Sequence, residues 1–422
     1  MLLGRLLEQT LRREGAALRA NLMRLGGDLE SAEEALQEAC LRALQRWPQD
    51  GLPERPAAWL NTVSRRILLD RFRRQRELPL DDTMAAALSD PQPCPLTQLQ
   101  AQQDDRSPVS DDRLRLLFQV CHPALAAEAS MALALKVIGG LSTRQIARAF
   151  LLSDASAAQR IVRAKQKIRR AAIPFALPTA DDLPARRDAV LRVVYLIFNE
   201  GYAATDCQHF IRPDLCAEAI RLAQLLVMLL PQDAEALGLL ALLQLTDARR
   251  PARLDQHGRL LTLAEQERSR WDADAIAQGQ AALDRALALR QPGPYQVQAA
   301  IAALHADASA ANATDWAQIL ALYRRLLQWQ PGPVVELNAA IALSMVEGPA
   351  AGLAWLDRLQ ADGLLADYHL LASSRAALLA QLGRLDEADR AYQLALELAR
   401  NPAEQAFLQA RRQALGELQP LG

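Results

Sequence analysis

The side chains that could do chemistry are concentrated in one stretch, Leu141 to Arg170, LSTRQIARAFLLSDASAAQRIVRAKQKIRR. Their chemistry is ionic. Between Arg113 and Ala172 the acids are Glu128 and Asp154 alone, set against many Lys and Arg, so the formal net charge of -1 hides a strongly basic segment. Ser142 or Thr143 can cap a helix whose apolar positions Ile146, Ala147 and Phe150 recur at helical spacing. Leu151 to Asp154 supplies a turn and the next cap. The helix that follows has Ala157, Ile161, Ala164 and Ile168 on its inward face, leaving Ser156, Gln159, Arg160, Val162, Arg163, Lys165, Lys167, Arg169 and Arg170 outside. A basic amphipathic helix alone is usually a solvated face. As the second of two helices joined by a short turn, it is a helix-turn-helix whose side chains can reach base edges and phosphates in a DNA major groove.

Other chemistries lack their residues. No Gly-rich phosphate loop, Gly-x-Ser-x-Gly elbow or metal-spaced His/Glu pair occurs, so an enzyme is not expected. The cysteines are Cys40, Cys94, Cys121, Cys207 and Cys216, an odd number without a CxxC pair, and the chain has five histidines. Neither a disulfide framework nor a metal site is expected, and Cys121 and His122, being adjacent on a helix, diverge in direction. No cofactor is implied. Charges every few residues from the N-terminus speak against a signal peptide, and no apolar run reaches spanning length, so no membrane partner is expected and the compartment is the cytoplasm.

The elements that position the basic helix are helical throughout. A hydrophobic fraction of 51% with 5% aromatics, rich in Ala, Leu, Arg, Gln and Glu and without alternating Val/Ile/Thr runs, predicts an all-α protein, and 422 residues predict two to four domains. Residues 1–77 form the first. There Asp28 to Trp47 predicts a helix with Ser31 as N-cap and Glu34 completing a capping box. Its inward face is Ala35, Leu36, Cys40, Leu41 and Leu44, and its outward face is an acidic strip of Asp28, Glu33, Glu34, Gln37 and Glu38. In Ala58 to Arg76, Trp59, Leu60, Val63, Ile67 and Phe72 pack, while Asn61, Arg65, Arg66, Arg71, Arg73, Arg74 and Arg76 stay free. An Arg-rich helix with Trp and Asn at its start can grip separated DNA strands by stacking and phosphate contact. Residues 78–112, with Asp81, Asp82, Asp90, Asp104, Asp105, Asp111 and Asp112, read as a flexible acidic linker. Residues 113–175 hold the helix-turn-helix and its supports, and Pro174 to Pro184 is a second boundary.

The order of acidic-faced helix, WLNTVSRRILLDRFRRQR, acidic linker and CHPALAAEASMALALKVIGGLSTRQIARAFLLSDASAAQRIVRAKQKIRR closely resembles bacterial sigma factors of the extracytoplasmic-function type, over residues 1 to about 175. The resemblance implies that residues 1–77, region two, bind the clamp helices of the beta-prime subunit of core RNA polymerase and melt the promoter −10 element, and that residues 113–175, region four, read the −35 element. It puts Asp28, Glu33, Glu34, Gln37 and Glu38 on the core-binding surface and Trp59, Asn61, Arg65, Arg66, Arg71, Arg73 and Arg74 on the −10 side. Ser156, Ala158, Gln159, Val162 and Arg163 take base-facing positions at −35, and Arg160, Lys165 and Lys167 phosphate contacts. Arg66 departs from the pattern, since many relatives have Asn there. The linker would lie in the RNA exit path. The main alternative is a helix-turn-helix regulator that dimerises through its repeats, which leaves the acidic helix and WLNTVSRR without a role.

Residues 185–422 resemble the C-terminal extension of a subgroup whose sigma domains are fused to a tetratricopeptide-like helical region. Gly383 on the turn of a 34-residue helical pair puts Ala376, Ala388, Tyr392, Ala395 and Pro402 at the small and aromatic positions such a pair needs. Ala219, Ala223, Leu226 and Pro231 repeat the second-helix spacing, Pro331 closes another unit, and Gly348 with Ala342 marks a degenerate copy. Asn199 to Tyr202 predicts a helix end with Gly201 as the stop, the alternative being contacts of Glu200 and Tyr202 with the sigma domains. DQHGR at Asp255 to Arg259 and TDW at Thr314 to Trp316 predict turns and caps. Such an extension could mask the DNA-binding surfaces by intramolecular contact or hold them in a productive arrangement.

Overall fold

The structure, a computed structural model, describes residues 2–25, 28–76, 111–150, 152–179, 181–204 and 210–416, and the chain divides into two compact units, 1–196 and 197–422. The described residues are helical apart from short turns and one isolated bridge between Leu254 and Leu260. Most of the acidic stretch 78–112 lies outside them. No described helix is long and apolar enough to cross a membrane, and the described residues contain no metal-ligating cluster.

In the first unit, α1 (Leu2–Arg24), α2 (Leu29–Asp50) and α3 (Pro56–Arg76) pack against one another. Asp28, not Ser31, caps α2, its carboxylate accepting the Ser31 N–H at 2.7 Å. The helix starts three residues early because Leu29 and Ala32 are buried and must belong to its packed face. That face continues through Ala35, Leu36, Ala39, Ala43 and Trp47, so helix approach is through alanines and one tryptophan. Leu41 and Leu44, expected inside, are 56% and 44% exposed, and Cys40 is half-buried. Trp47 meets Trp59 of α3 edge-to-face at 5.3 Å, which ties the end of α2 to the start of α3.

Four further helices make the second module of this unit: α4 (Asp112–Val120), α5 (Ala127–Val137), α6 (Thr143–Ala149) and α7 (Asp154–Arg170). Asp111 and Asp112, grouped above with the acidic linker, are the N-cap and first residue of α4. Ser142 caps α6 in a full capping box with Gln145, and Ser153 caps α7. Ala157, Ile161, Ala164 and Ile168 are buried, as their spacing requires. Gln119 of α4 donates to the Ile173 carbonyl at 2.8 Å and Ser130 of α5 to the Val120 carbonyl at 2.7 Å, so α4 is tied both to the segment after α7 and to α5.

The division between units falls within α8 (Leu183–Tyr202), whose Arg186 donates to the Phe118 carbonyl at 3.5 Å. Among the described residues, ten α-helices follow it: α9 (Pro213–Leu229), α10 (Ala234–Asp247), α11 (Ala273–Ala288), α12 (Pro294–Asp307), α13 (Trp316–Trp329), α14 (Pro333–Glu347), α15 (Pro349–Ala361), α16 (His369–Gln381), α17 (Leu385–Leu398) and α18 (Pro402–Gly416). Each packs on its chain neighbour, which is solenoid organisation. The α16–α17 pair carries the repeat signature: Ala376, Ala388, Tyr392 and Ala395 are buried and Gly383 takes φ +73° at the turn. Asp315 caps α13 by accepting the Gln318 N–H at 2.9 Å. Asp255 closes the DQHGR turn by accepting the N–H groups of His257 and Arg259 at 2.8 and 2.9 Å; these donors and the Arg259 guanidinium hold its carboxyl down at about 2.

Gly201 does a different job from the one its position predicts. α8 runs through it to Tyr202, and a Cβ at Gly201 would lie 2.7 Å from the Cys216 backbone nitrogen and 2.8 Å from the Leu215 Cβ. It is a contact glycine that lets α8 meet the start of α9, where the Arg212 N–H donates to the Gly201 carbonyl at 2.7 Å. Gly201→Ala is therefore expected to cost about 1–3 kcal/mol through overpacking, seen as a lower thermal midpoint of the full chain. An unchanged midpoint would contradict this packing.

Candidate nucleic-acid and polymerase interfaces

Helix α7 presents the arc expected of a recognition helix. Its caps fix where it begins, and its buried stripe fixes its rotation. Ala158, Gln159, Val162, Arg163 and Lys167 are exposed, Val162 by 51%, and Ser156 is half-exposed at the N-terminal turn, where its hydroxyl lies 2.9 Å from that of the capping Ser153. An apolar side chain more than half in water beside Gln159 and Arg163 is the mixture that reads base edges, where amide and guanidinium forks serve purines and a methyl serves thymine. Arg160 and Lys165 are placed differently. Arg160 pairs with Glu128 of α5, and Lys165 with Glu33 of α2.

Helix α2 carries the acidic strip. Asp28 is spent on the cap. Glu34 is exposed and pairs with Arg71 of α3 at 2.6 Å, Glu38 pairs with Arg42 at 3.1 Å, and Gln37 is exposed. Glu33 is only 17% exposed and lies 3.7 Å from the Arg19 guanidinium of α1, in addition to its bond with Lys165. Burial lowers the pKa of Arg19, and Glu33 opposes that shift. Burial is the main cause of the lowered pKa of Lys136 of α5, with the Arg19 charge next. Exposed Leu41 and Leu44 follow Gln37 at helical spacing and extend the strip with an apolar end that the sequence assigned to the core. Counting alanines rather than leucines on the inward face would have found them.

On α3, Arg65, Arg66, Arg73 and Arg74 are exposed, with Arg73 3.9 Å from Asp70. Trp59 and Asn61 are half-buried near the helix start, Trp59 held by Trp47. Arg71, read as free, is bound to Glu34, so one residue of the basic set and one of the acidic set neutralise each other inside the first module. Arg76 ends the helix.

Residues 11–77 match Sigma-70 region 2, and residues 115–168 match Sigma-70 region 4. A probable RNA polymerase sigma factor, RfaY, of Xanthomonas campestris pv. campestris is 30% identical over 146 residues, 34% of each chain. The chain belongs to the extracytoplasmic-function sigma factors. Residues 186–287 of this sigma factor match DUF6596, a family of unknown function, which marks its C-terminal extension. An uncharacterized protein of Rhizobium meliloti (strain 1021) is 46% identical over 389 residues, 92% of this chain and 90% of its own. Among solved structures, yeast Tom70 aligns over 99% of this chain and 86% of its own with a TM-score of 0.36 and 14% identity. The helical-repeat reading of the extension rests on the packing described above.

A sigma factor works with core RNA polymerase on promoter DNA. Arg163 is exposed at the middle of α7, flanked by Gln159 and Val162. Arg163→Ala is expected to weaken −35 binding by about 1–3 kcal/mol and to relax sequence preference there. Unchanged footprints at −35 would move the reading surface elsewhere.

Proposed function

We propose that the two modules of the first unit divide the work of initiation. Region two docks on the clamp helices of the beta-prime subunit through the strip of Asp28, Glu33, Glu34, Gln37 and Glu38, continued by Leu41 and Leu44. The acids steer the encounter with a basic surface, and the two leucines supply desolvated contact once docked. Helix α3 holds the opened −10 strands through Trp59, Asn61, Arg65, Arg66, Arg71, Arg73 and Arg74. Helix α7 reads −35 through Ser156, Ala158, Gln159, Val162 and Arg163, with Arg160, Lys165 and Lys167 on phosphates. Because phosphate contacts release counterions, promoter affinity falls steeply with salt. The protein lends specificity to an enzyme and performs no catalytic step. Its place of work is the cytoplasm, where the polymerase acts. The observation that carries this reading is the capped, rotationally fixed α7 with Gln159, Val162 and Arg163 in water.

The extension acts as an in-chain regulator. Tethering gives it a high effective concentration at the sigma modules without a separate partner. It either covers their binding surfaces or holds them in the working arrangement. A truncation that tests this must keep α8, because Arg186 is bonded to the Phe118 carbonyl of region four. Ending the chain after Ala204 is expected to change output from a cognate promoter: a rise means restraint, a loss means the repeats are required, and unchanged output would refute regulation. Leu41→Asp, at a position already in water, is expected to leave the thermal midpoint unchanged and to weaken co-purification with core polymerase. Full retention would remove α2 from the docking face.

A further inference from the structure

Where the segment after α10 rejoins the helical repeats, cations gather without an acid to answer them. Arg249 lies just past α10, and Arg268 and Trp271 sit where the segment returns to α11, held there by the Asp272 N–H donating to the Ala248 carbonyl at 2.9 Å. Arg268 reaches the end of α12: its Nη1 donates to the carbonyl of His305 and, at 2.7 Å, to that of Ala308, and its guanidinium lies 4.6 Å from the centre of the Trp271 ring. His305, 9% exposed, meets the ring of Trp316 of α13 edge-to-face at 5.2 Å. The acids nearby are committed elsewhere. Asp247 is paired with Arg250 at 2.8 and 3.2 Å, and Asp272 caps α11 by accepting the Ala275 N–H at 3.0 Å. Among the described residues no carboxylate is paired with Arg249 or Arg268. Burial lowers the pKa of His305 to about 4, with the charges of Arg249 and Arg268 pushing the same way, and burial followed by the Arg249 charge lowers that of Arg268.

Behind these cations a set of donors goes unused. Arg249 Nε, Arg268 Nη2, His305 Nδ1 and the indole Nε1 of Trp271 and of Trp316 are all buried without a hydrogen-bond partner. A buried donor left unmatched is costly, and arginine and tryptophan can only donate. We propose that this corner of the extension is a binding site for a phosphate group, held by Arg249 and Arg268 and backed by the ring nitrogens of Trp271, His305 and Trp316. A donor-only set selects a ligand that only accepts. A carboxylate offers two oxygens to this many donors, whereas a phosphate ester offers three and carries about −1.5 to −2 near pH 7, close to the charge of two guanidiniums. Both arginines are partly exposed, so the ion reaches them from solvent. Bound there, it joins the end of α10, the return of the 248–272 segment and the end of α12, and so stabilises the extension where they meet. The free ion and the phosphate of a small ester present the same group, and the site stands independently of whether the extension regulates the sigma modules.

The test uses the full-length protein and the indole N–H resonances of its six tryptophans, with Trp271 and Trp316 assigned from Trp271→Phe and Trp316→Phe. At constant ionic strength set with chloride, inorganic phosphate should shift both resonances along a saturable curve and raise the thermal midpoint, while chloride alone leaves them in place. A nucleoside monophosphate titrated in the same way separates free ion from ester, the one that saturates at lower concentration being the better ligand. If neither shifts these resonances, the site is overturned. Arg249→Gln removes a side chain with no hydrogen bond among the described residues, so it should fold with an unchanged or higher midpoint without phosphate and bind phosphate about tenfold more weakly. Full-strength binding by that variant would also overturn the site. Arg163→Ala, on the proposed DNA face, should leave the Trp271 and Trp316 curves as in the wild type; their loss would assign the shifts to α7 and contradict the proposal.

Discussion

Charge withdrawn from water in a folded chain needs a counter-charge, and the geometry around Glu33 is where this protein meets that constraint. Two cations, Arg19 from α1 and Lys165 from α7, pair with one carboxylate on α2. Arg19 also donates to the Val137 carbonyl at 3.3 Å, so the first module reaches the second through the same side chain that holds Glu33. Each pair in water is worth little, but these groups are partly withdrawn from it, and a carboxylate withdrawn without its cations is costly. The arrangement of the two modules follows from giving every such charge a partner.

The same constraint accounts for which cations remain exposed. Arg160 and Lys165 are bonded to acids, whereas Gln159, Val162 and Arg163 are exposed on the arc between them. In the proposed reading, positioning by phosphate contact and discrimination by base contact fall on different faces of one helix. Only the first is engaged by carboxylates here. On α3 the division repeats, with Arg71 held by Glu34 and Arg65, Arg66 and Arg74 exposed.

Much of this was legible in the sequence where local rules decide. Helix α6 with its Ser142 cap, and α7 with its four buried positions, follow from periodicity and from the turn and cap expected within Leu151 to Asp154. The α16–α17 pair follows from Gly383 and the alanines around it. Misreadings occur where packing between distant segments overrides a local preference. Leu41 and Leu44 look like core, yet α2 is buried through Ala32, Ala35, Ala39 and Ala43, and a leucine on a docking face has the same local signature as one inside. Gly201 looks like a stop because nothing nearby in sequence announces the backbone of Cys216. The Lys165–Glu33 bond joins residues 132 positions apart and leaves no trace in either segment.

The extension adds a long helical-repeat surface to the two sigma modules. The claim beneath the whole account is that the first unit gives core polymerase its start site. Run-off transcription on a library of promoter fragments, with purified core enzyme and the full-length protein, measures it directly. The account predicts defined starts that appear only when both are present. Tight duplex binding by the protein alone, with no start-site selection by the polymerase, would contradict it.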